Sequence, residues 1–171
     1  RSTLAIRPLL WKNGWPVGGE LFEGGNFAIV SERRGYALEL AVDFVRLAGA
    51  MRGMFGAQNN EPLISIEDQK LSDVQGGWPE GNIGVRIGDI MYRPHQKWSV
   101  VAVPDAGGYL GGQYYKILIE GTNRALAATE GAELTTVPSF TGAPEQLWRI
   151  EQLADGTFRI MLFSNNNIII I

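Results

Sequence analysis

The chain contains no cysteine. That excludes a disulfide framework and any thiolate metal site. It leaves the compartment open, because reducing and oxidising surroundings both tolerate a chain without thiols. Histidine is nearly absent too. His95 stands alone, and one imidazole without a thiolate beside it gives zinc too few protein ligands. No apolar run approaches the roughly 18–20 residues of a membrane-spanning helix. No basic excess exists either. The formal net charge is −3 and Arg33-Arg34 is the only Arg pair, which argues against a non-specific nucleic-acid binder. GxSxG, a phosphate loop and HExxH are all missing. "GGYLGGQ" (107–113) is glycine-rich but lacks the Lys-Ser/Thr that cradles a phosphate, so it reads as a hairpin turn. Acidic pairs such as Glu20/Glu23 and Glu130/Glu133 occur, but glycoside hydrolysis needs two carboxylates about 5–10 Å apart across the bond, and loop acids are usually just solvated. Catalytic residues are therefore not expected. No signal peptide is visible and the chain opens on Arg1, so it reads as a processed product or a fragment.

What is present is a globular composition, with 171 residues, 45% hydrophobic and 19% charged. That suits one domain with a sizeable core. The 22 glycines are scattered between short runs such as "NIGVRIGDIMY", "KWSVVAV", "YYKILI" and "GTFRIML". Val, Ile and aromatic residues fill these runs, and Gly, Pro, Asn and Asp separate them, which predicts an all-β sandwich or barrel. One stretch, 40–56, has helical flavour. Gly49, Gly53 and Gly56 count against it, at about 1 kcal/mol each relative to Ala.

Three stretches share an internal order: Trp15 to Ile29, Trp98 to Ile117, and Trp148 to Ile160. Each runs from a Trp through a Gly-containing turn to aromatic-x-Ile (Phe27/Ile29, Tyr115/Ile117, Phe158/Ile160). After the first two comes a polar turn and an Ala-Leu, at Ala37-Leu38 and Ala125-Leu126. Two of the tryptophans follow a Q-x-W pattern, Gln96–Trp98 and Gln146–Trp148. One such hairpin cannot bury its apolar face alone, whereas three around an axis can. The longer spacing from Trp15 to Trp98 places an insertion in the first unit, around 45–85.

Q-x-W, a hairpin, aromatic-x-Ile and a turn into Ala-Leu together resemble the ricin-type β-trefoil lectin repeat, over roughly residues 15–163 and best over 90–161. The resemblance implies a pseudo-threefold, β-trefoil-like barrel with up to three shallow sugar pockets and no cofactor. In that family an acid just after the Leu, an aromatic further on, and a polar residue before the Q-x-W glutamine bind the sugar. A flat ring suits the C–H face and a carboxylate suits paired hydroxyls. The matching positions in the first unit are Glu39, Tyr92 and His95. Glu39 stands for the usual Asp and His95 for the usual Asn. In the second unit Ala127 replaces the acid, leaving Phe140 and Glu145 as matches. Gln96, Trp98, Gln146 and Trp148 read as core and turn-bracing residues. Tyr92 is a sugar platform or a half-buried sheet residue, Glu39 a ligand or a solvated strand charge. Trp78, in the loop "GGWPEGN", is a binding platform or packs over the insertion.

A second, local resemblance lies in "IRPLLWKNGWPVGG" (6–19), which is similar to the closing segment of the five-bladed propeller of family 43 glycoside hydrolases, particularly arabinanases. It implies that 1–19 is such a segment plus linker, that 20–171 is the trefoil-like domain, and that an upstream catalytic domain carries the carboxylates. The expected function is non-catalytic carbohydrate binding, by a secreted or periplasmic accessory module that targets arabinan or a related plant polysaccharide. Partners are then a polysaccharide or oligosaccharide and the upstream domain, with neither nucleic acid nor membrane. Two alternatives stand beside it: an integral C-terminal part of the hydrolase, and a structural domain with degenerate pockets. After Phe158-Arg159-Ile160 the pattern calls for Ala-Leu and a third Q-x-W, where the sequence offers "LFSNNNIIII". The third unit is expected to be incomplete, either because the chain is truncated or because its last residues lack firm sequence support. Four consecutive isoleucines are an aggregation hazard if exposed.

Overall fold

Two long hairpins carry the architecture. Strand β8 (Trp98–Tyr109) pairs with β9 (Gly112–Ile119), with a register shift between Val103 and Gly108; β12 (Trp148–Gln152) pairs with β13 (Phe158–Leu162). In this computed structural model the described residues are 9–12, 15–18, 22, 24–31, 33–45, 63–65, 78–109, 112–131, 133–153, 156–163 and 168–170. Both hairpins follow the alternation of the sequence. Trp98, Val100, Ile117 and Ile119 face inward from the first, and Trp148, Ile160 and Leu162 from the second, into one buried cluster. The remaining strands of the curled sheet are β3 (Gly25–Phe27), β4 (Tyr36–Leu40), β7 (Ile83–Asp89), β10 (Ala125–Ala128), β11 (Leu134–Val137) and β14 (Ile168–Ile170). Strand β4 pairs with β7 and β10 with β11, and these two hairpins meet where Thr135 and Thr136 face Gly84 and Ile83. Two small sheets stand apart from this path: β1 (Leu9–Lys12) with β2 (Trp15–Gly18), and β5 (Asp43–Val45) parallel to β6 (Leu63–Ser65). No helix among the described residues is long and apolar enough to cross a membrane.

The hydrogen bonds define the repeat more sharply than residue types do. The indole N–H of Trp98 donates to the Leu38 carbonyl at 3.0 Å, and that of Trp148 to the Leu126 carbonyl at 3.1 Å. Ile90 N–H donates to Gly35 O and Phe140 N–H to Asn123 O. A single 3-10 turn precedes each tryptophan, Pro94–Gln96 and Pro144–Gln146, where proline's fixed φ suits the first helical position. The first unit is therefore β3, β4, β7 and β8, the second is β9, β10, β11 and β12. Leu38 and Trp98 are 60 residues apart whereas Leu126 and Trp148 are 22 apart. The extra 38 residues fall between β4 and β7, in the connection that holds β5 and β6.

Trp15 admits two competing readings, the end of a propeller-like segment or the start of the first unit, with a boundary near 17–24 favoured and its repeat-like order then a coincidence. The Trp15-to-Ile29 order forms no hairpin, since β2 pairs with β1 and β3 pairs with β8. In the 40–56 stretch, Asp43–Val45 is strand, and 46–56 lie outside the described residues. Three residues of the isoleucine run, Ile168–Ile170, form strand β14. Met161 faces Ile168 across β13 and β14, as Leu118 faces Ala125 across β9 and β10. Strand β14 is thus the Ala-Leu strand of the third unit, written in isoleucine.

Phe22 lies where the three units converge. Its ring centroid is 5.4 Å from Phe27, 5.4 Å from Tyr115 and 5.6 Å from Phe158, so it is nearly equidistant from the three equivalent aromatics. Tyr115 Oη donates to the Phe22 carbonyl at 2.7 Å. The contacts with Tyr115 and Phe158 are edge-to-face, and such pairs add roughly 0.5–1.5 kcal/mol each beyond area burial.

Candidate functional site

The first unit contains a buried polar cluster around Glu39. The strand "YALEL" points Leu38 and Leu40 into the core, and the alternation of the pleat sends Glu39 to the opposite face. There its carboxylate accepts three side-chain donors. Arg86 Nε, directly across the ladder, reaches Oε1 at 2.7 Å; His95 Nε2 and Gln96 Nε2 reach Oε2 at 3.0 and 2.7 Å. A carboxylate only accepts, so His95 carries its proton on Nε2. Glu39, His95 and Gln96 are all buried. Burial pushes the His95 imidazole below its ordinary value near 6.5; the charge and hydrogen bond of Glu39 oppose that, and Arg86 and Arg93 add to it. Gly88 makes room for the arrangement, because a Cβ there would overlap the Glu39 carboxylate.

Gln96 transmits this order to the surface. Its Nε2 also donates to Asp89 O at 2.6 Å, and its Oε1 accepts from the backbone N–H groups of Met91 at 2.8 Å and Tyr92 at 3.1 Å. Tyr92 is held there at φ 53°, the one non-glycine among the described residues with a positive φ. A non-glycine in that region costs of order 1 kcal/mol and persists where its surroundings dictate it. Its side chain is 72% exposed. The Gln96 side chain thus ties the backbone that carries an exposed aromatic residue to the buried polar cluster. Glu39, His95 and Tyr92, matched to one site in the sequence, are joined here through Gln96.

The second unit keeps the frame and loses the floor. Gln146 Oε1 accepts from Thr141 N–H at 2.7 Å, the counterpart of the bond from Met91. Counting from each glutamine, Tyr92 corresponds to Gly142, at φ 83°, and Phe140 corresponds to Ile90, as the bonds to Asn123 and Gly35 require. The pairing of Tyr92 with Phe140 as equivalent aromatics therefore slips by two positions. Phe140 is half-buried, with Lys116 Nζ 5.0 Å from its ring centroid. Glu145 is exposed on the 3-10 turn. Ala127 and Val137 occupy the places of Glu39 and Gly88, across from Thr135 rather than Arg86.

Trp78 is half-buried and packs against the core, and its indole N–H has no hydrogen-bond partner among the described residues. The loop after it is fastened to the second unit, because the buried Arg124 donates to Pro79 O at 2.7 Å and Gly81 O at 2.8 Å. Arg86, Gly88 and Arg124 were not singled out from the sequence. Only the register of β4 against β7 reveals the first two, and no local pattern marks the third.

A repeat of this geometry can be compared with known families. Residues 94–169 match the ricin-type beta-trefoil lectin domain-like family. The match runs from the first 3-10 turn to β14, through the whole second unit. Among solved structures, a mosquitocidal holotoxin is similar at 14% identity and a TM-score of 0.54, over 85% of this chain and 13% of the toxin. At that identity the likeness shows the fold alone, and the chain spans only that 13% of the toxin's length. The designed threefold-symmetric protein ThreeFoil is similar over 61% of this chain and 67% of its own, at 19% identity and a TM-score of 0.44, too loose to bear on the fold. No curated protein sequence matches the chain. The fold is all-β and β-trefoil-like.

Proposed function

We propose that this chain binds carbohydrate without catalysis, through the first unit. The observation that carries the reading is Tyr92, an exposed ring fixed at a left-handed backbone position by the side chain of Gln96. Ordering a sugar against a mobile ring costs side-chain and loop entropy, and a preset ring avoids most of that cost. The buried Glu39–His95–Gln96 floor orients the platform, and the ricin-type match of 94–169 supports a sugar as the ligand. Phe140 and Glu145 mark a second, altered pocket, with Ala127 in the place of the Glu39 acid.

The finer reading is an accessory module, secreted or periplasmic, that holds an attached glycoside hydrolase on arabinan or a related plant polysaccharide. The similarity of residues 6–19 to an arabinanase propeller segment supports it. Tethering would raise the effective concentration of enzyme at the polymer. Affinity electrophoresis tests the reading: the chain is run through gels containing arabinan, galactan or xylan. Retardation by one of them is expected, and unaltered mobility in all three would sink it.

One set of observations favours a structural role instead. Both carboxylate oxygens of Glu39 are already engaged, and the second unit has Ala127 in its place. If Tyr92→Ala and Glu39→Gln leave retardation unchanged, the structural reading holds.

A further inference from the structure

The hydrogen bonds that hold Tyr92 run beside one titratable group. His95, the single histidine of the chain, sits on the 3-10 turn Pro94–Gln96 and is buried. Its Nε2 and the side-chain amide of Gln96 converge on one atom, Glu39 Oε2, at 3.0 and 2.7 Å. The Oε1 of the same Gln96 accepts from the Met91 and Tyr92 N–H groups. One shared carboxylate oxygen and one amide therefore link the imidazole to the backbone that carries the exposed ring.

The charges around His95 come from several elements. From β4 it meets Glu39, and from β7 it meets Arg86, which is paired with Glu39 Oε1. Along its own loop stand Arg93 and Lys97. Asp89 gives Gln96 its carbonyl and keeps an exposed side chain. At the end of β9, Glu120 N–H donates to Lys97 O. Burial, the largest influence, disfavours the imidazolium; Glu39 favours it, and Arg86 and Arg93 disfavour it.

Protonation of His95 changes three things at once. It adds an N–H at Nδ1, inside the protein. It places a positive charge near Arg86 and Arg93. It also makes the bond to Glu39 Oε2 charge-assisted, and such bonds are shorter and stronger than neutral ones. Because Oε2 is shared, the imidazolium draws it away from Gln96. The hold of Gln96 on residues 91 and 92 slackens. Tyr92 then leaves φ 53°, a conformation that persists only while its surroundings dictate it. The second unit has the same brace without this group: Gln146 Oε1 accepts from Thr141 N–H, while Glu145 precedes the glutamine and Ala127 stands in the place of Glu39.

We propose that His95 is an acid-sensitive latch on the Tyr92 loop: its protonation frees residues 91 and 92 while the rest of the fold stays intact, and a ligand held at Tyr92 is released in acid. The release of ligand rests on the sugar-binding reading; the loosening of the loop does not. The latch is closed while the imidazole is neutral. It opens as pH falls through the folded value, which burial places below the ordinary 6.5, because the opened loop binds the proton more readily than the closed one.

Nuclear magnetic resonance of the isotope-labelled chain, titrated from about pH 8 to about pH 4.5 without sugar, tests the latch. The His95 ring and the Met91 and Tyr92 amides are expected to shift with one common midpoint. The Thr141 amide and the Trp98 and Trp148 indole N–H resonances should stay in place. Met91 and Tyr92 unmoved through the His95 midpoint, a ring that does not titrate while the fold persists, or loss of all these resonances together would each overturn the proposal. His95→Gln keeps a donor without the titration and should hold the Met91 and Tyr92 shifts flat; a transition that survives in it also overturns the proposal. If that variant does not fold, the midpoints of the wild-type chain still decide. Gels containing arabinan, galactan or xylan, run over the same pH range, keep the two readings apart. Retardation that fades with the His95 midpoint supports release, and retardation independent of pH overturns it while sugar binding stands. Unaltered mobility at every pH sinks sugar binding and release together, and the resonances alone then decide the latch.

Discussion

The first and second units share a skeleton and differ in what it holds. Both place a tryptophan indole on a leucine carbonyl, both brace a glutamine against the loop before a 3-10 turn, and both open that turn with proline. Between those common points the first unit has Glu39, Gly88, Arg86 and Tyr92, where the second has Ala127, Val137, Thr135 and Gly142. The exchange is coherent in volume and charge. A buried carboxylate comes with a glycine that makes room and an arginine that pairs with it; an alanine comes with a valine at the glycine's place. Residues that hold the fold are thus separable from residues that make one unit distinctive.

Six substitutions break or sharpen that comparison. The largest effect is expected from the shared skeleton. Trp98→Ala removes a fully buried ring and its bond to Leu38, and should cost about 3–5 kcal/mol in urea unfolding. Trp148→Ala should cost a similar amount; a small loss in either would contradict their architectural role. Next comes the distinctive pocket. Gly88→Val pushes a side chain into the Glu39 carboxylate and should cost about 2–3 kcal/mol, as overpacking does. The double variant Glu39→Ala/Gly88→Val copies the second unit and should recover part of that loss. A double-mutant cycle without coupling would show that the two positions are independent.

A pH effect follows from His95. Burial depresses its folded value below the ordinary 6.5. In the unfolded chain the imidazole protonates first, so the unfolded state holds more protons in that window. The resulting stability is fully present above about pH 6.5 and is lost as pH falls through the folded value. Urea midpoints should therefore drop between about pH 7 and pH 5, and His95→Gln should flatten the drop. The smallest effect on stability is at Tyr92. Tyr92→Gly relieves a left-handed backbone and should gain up to about 1 kcal/mol, while removing the proposed sugar platform. Stability and binding moving in opposite directions would mark Tyr92 as retained for function.

Much of the frame was legible in the sequence. The Q-x-W glutamines, the aromatic-x-Ile pairs and the Ala-Leu turns are local patterns, and each maps to a strand or turn with its own hydrogen bonds. The hairpins from Trp98 and Trp148 form as their alternation dictates. Trp15 shows the limit of that reading. A Trp, a turn and an aromatic-x-Ile follow it in order, yet β2 finds its partner in β1, because pairing depends on which edge is available and not on residue order. The site was legible at Glu39, His95 and Tyr92 as candidates. Its closure was not. Arg86 is 47 residues from Glu39, across the insertion that the repeat spacing places but whose returning register it does not set. Phe22 sits in "ELFEGG" with no periodicity around it, and its role exists only through three distant rings. The match of Tyr92 with Phe140 failed because aromatic type was aligned in place of backbone position, and the loops before the two glutamines hold their rings two places apart.

Isothermal titration of arabinan, galactan and xylan oligosaccharides at millimolar concentration into the wild-type chain and Tyr92→Ala tests the central claim most directly. The account predicts heat with at least one of them, a stoichiometry of one, and its loss in Tyr92→Ala. Absence of heat with all three, or an isotherm unchanged by removal of the Tyr92 ring, would contradict it.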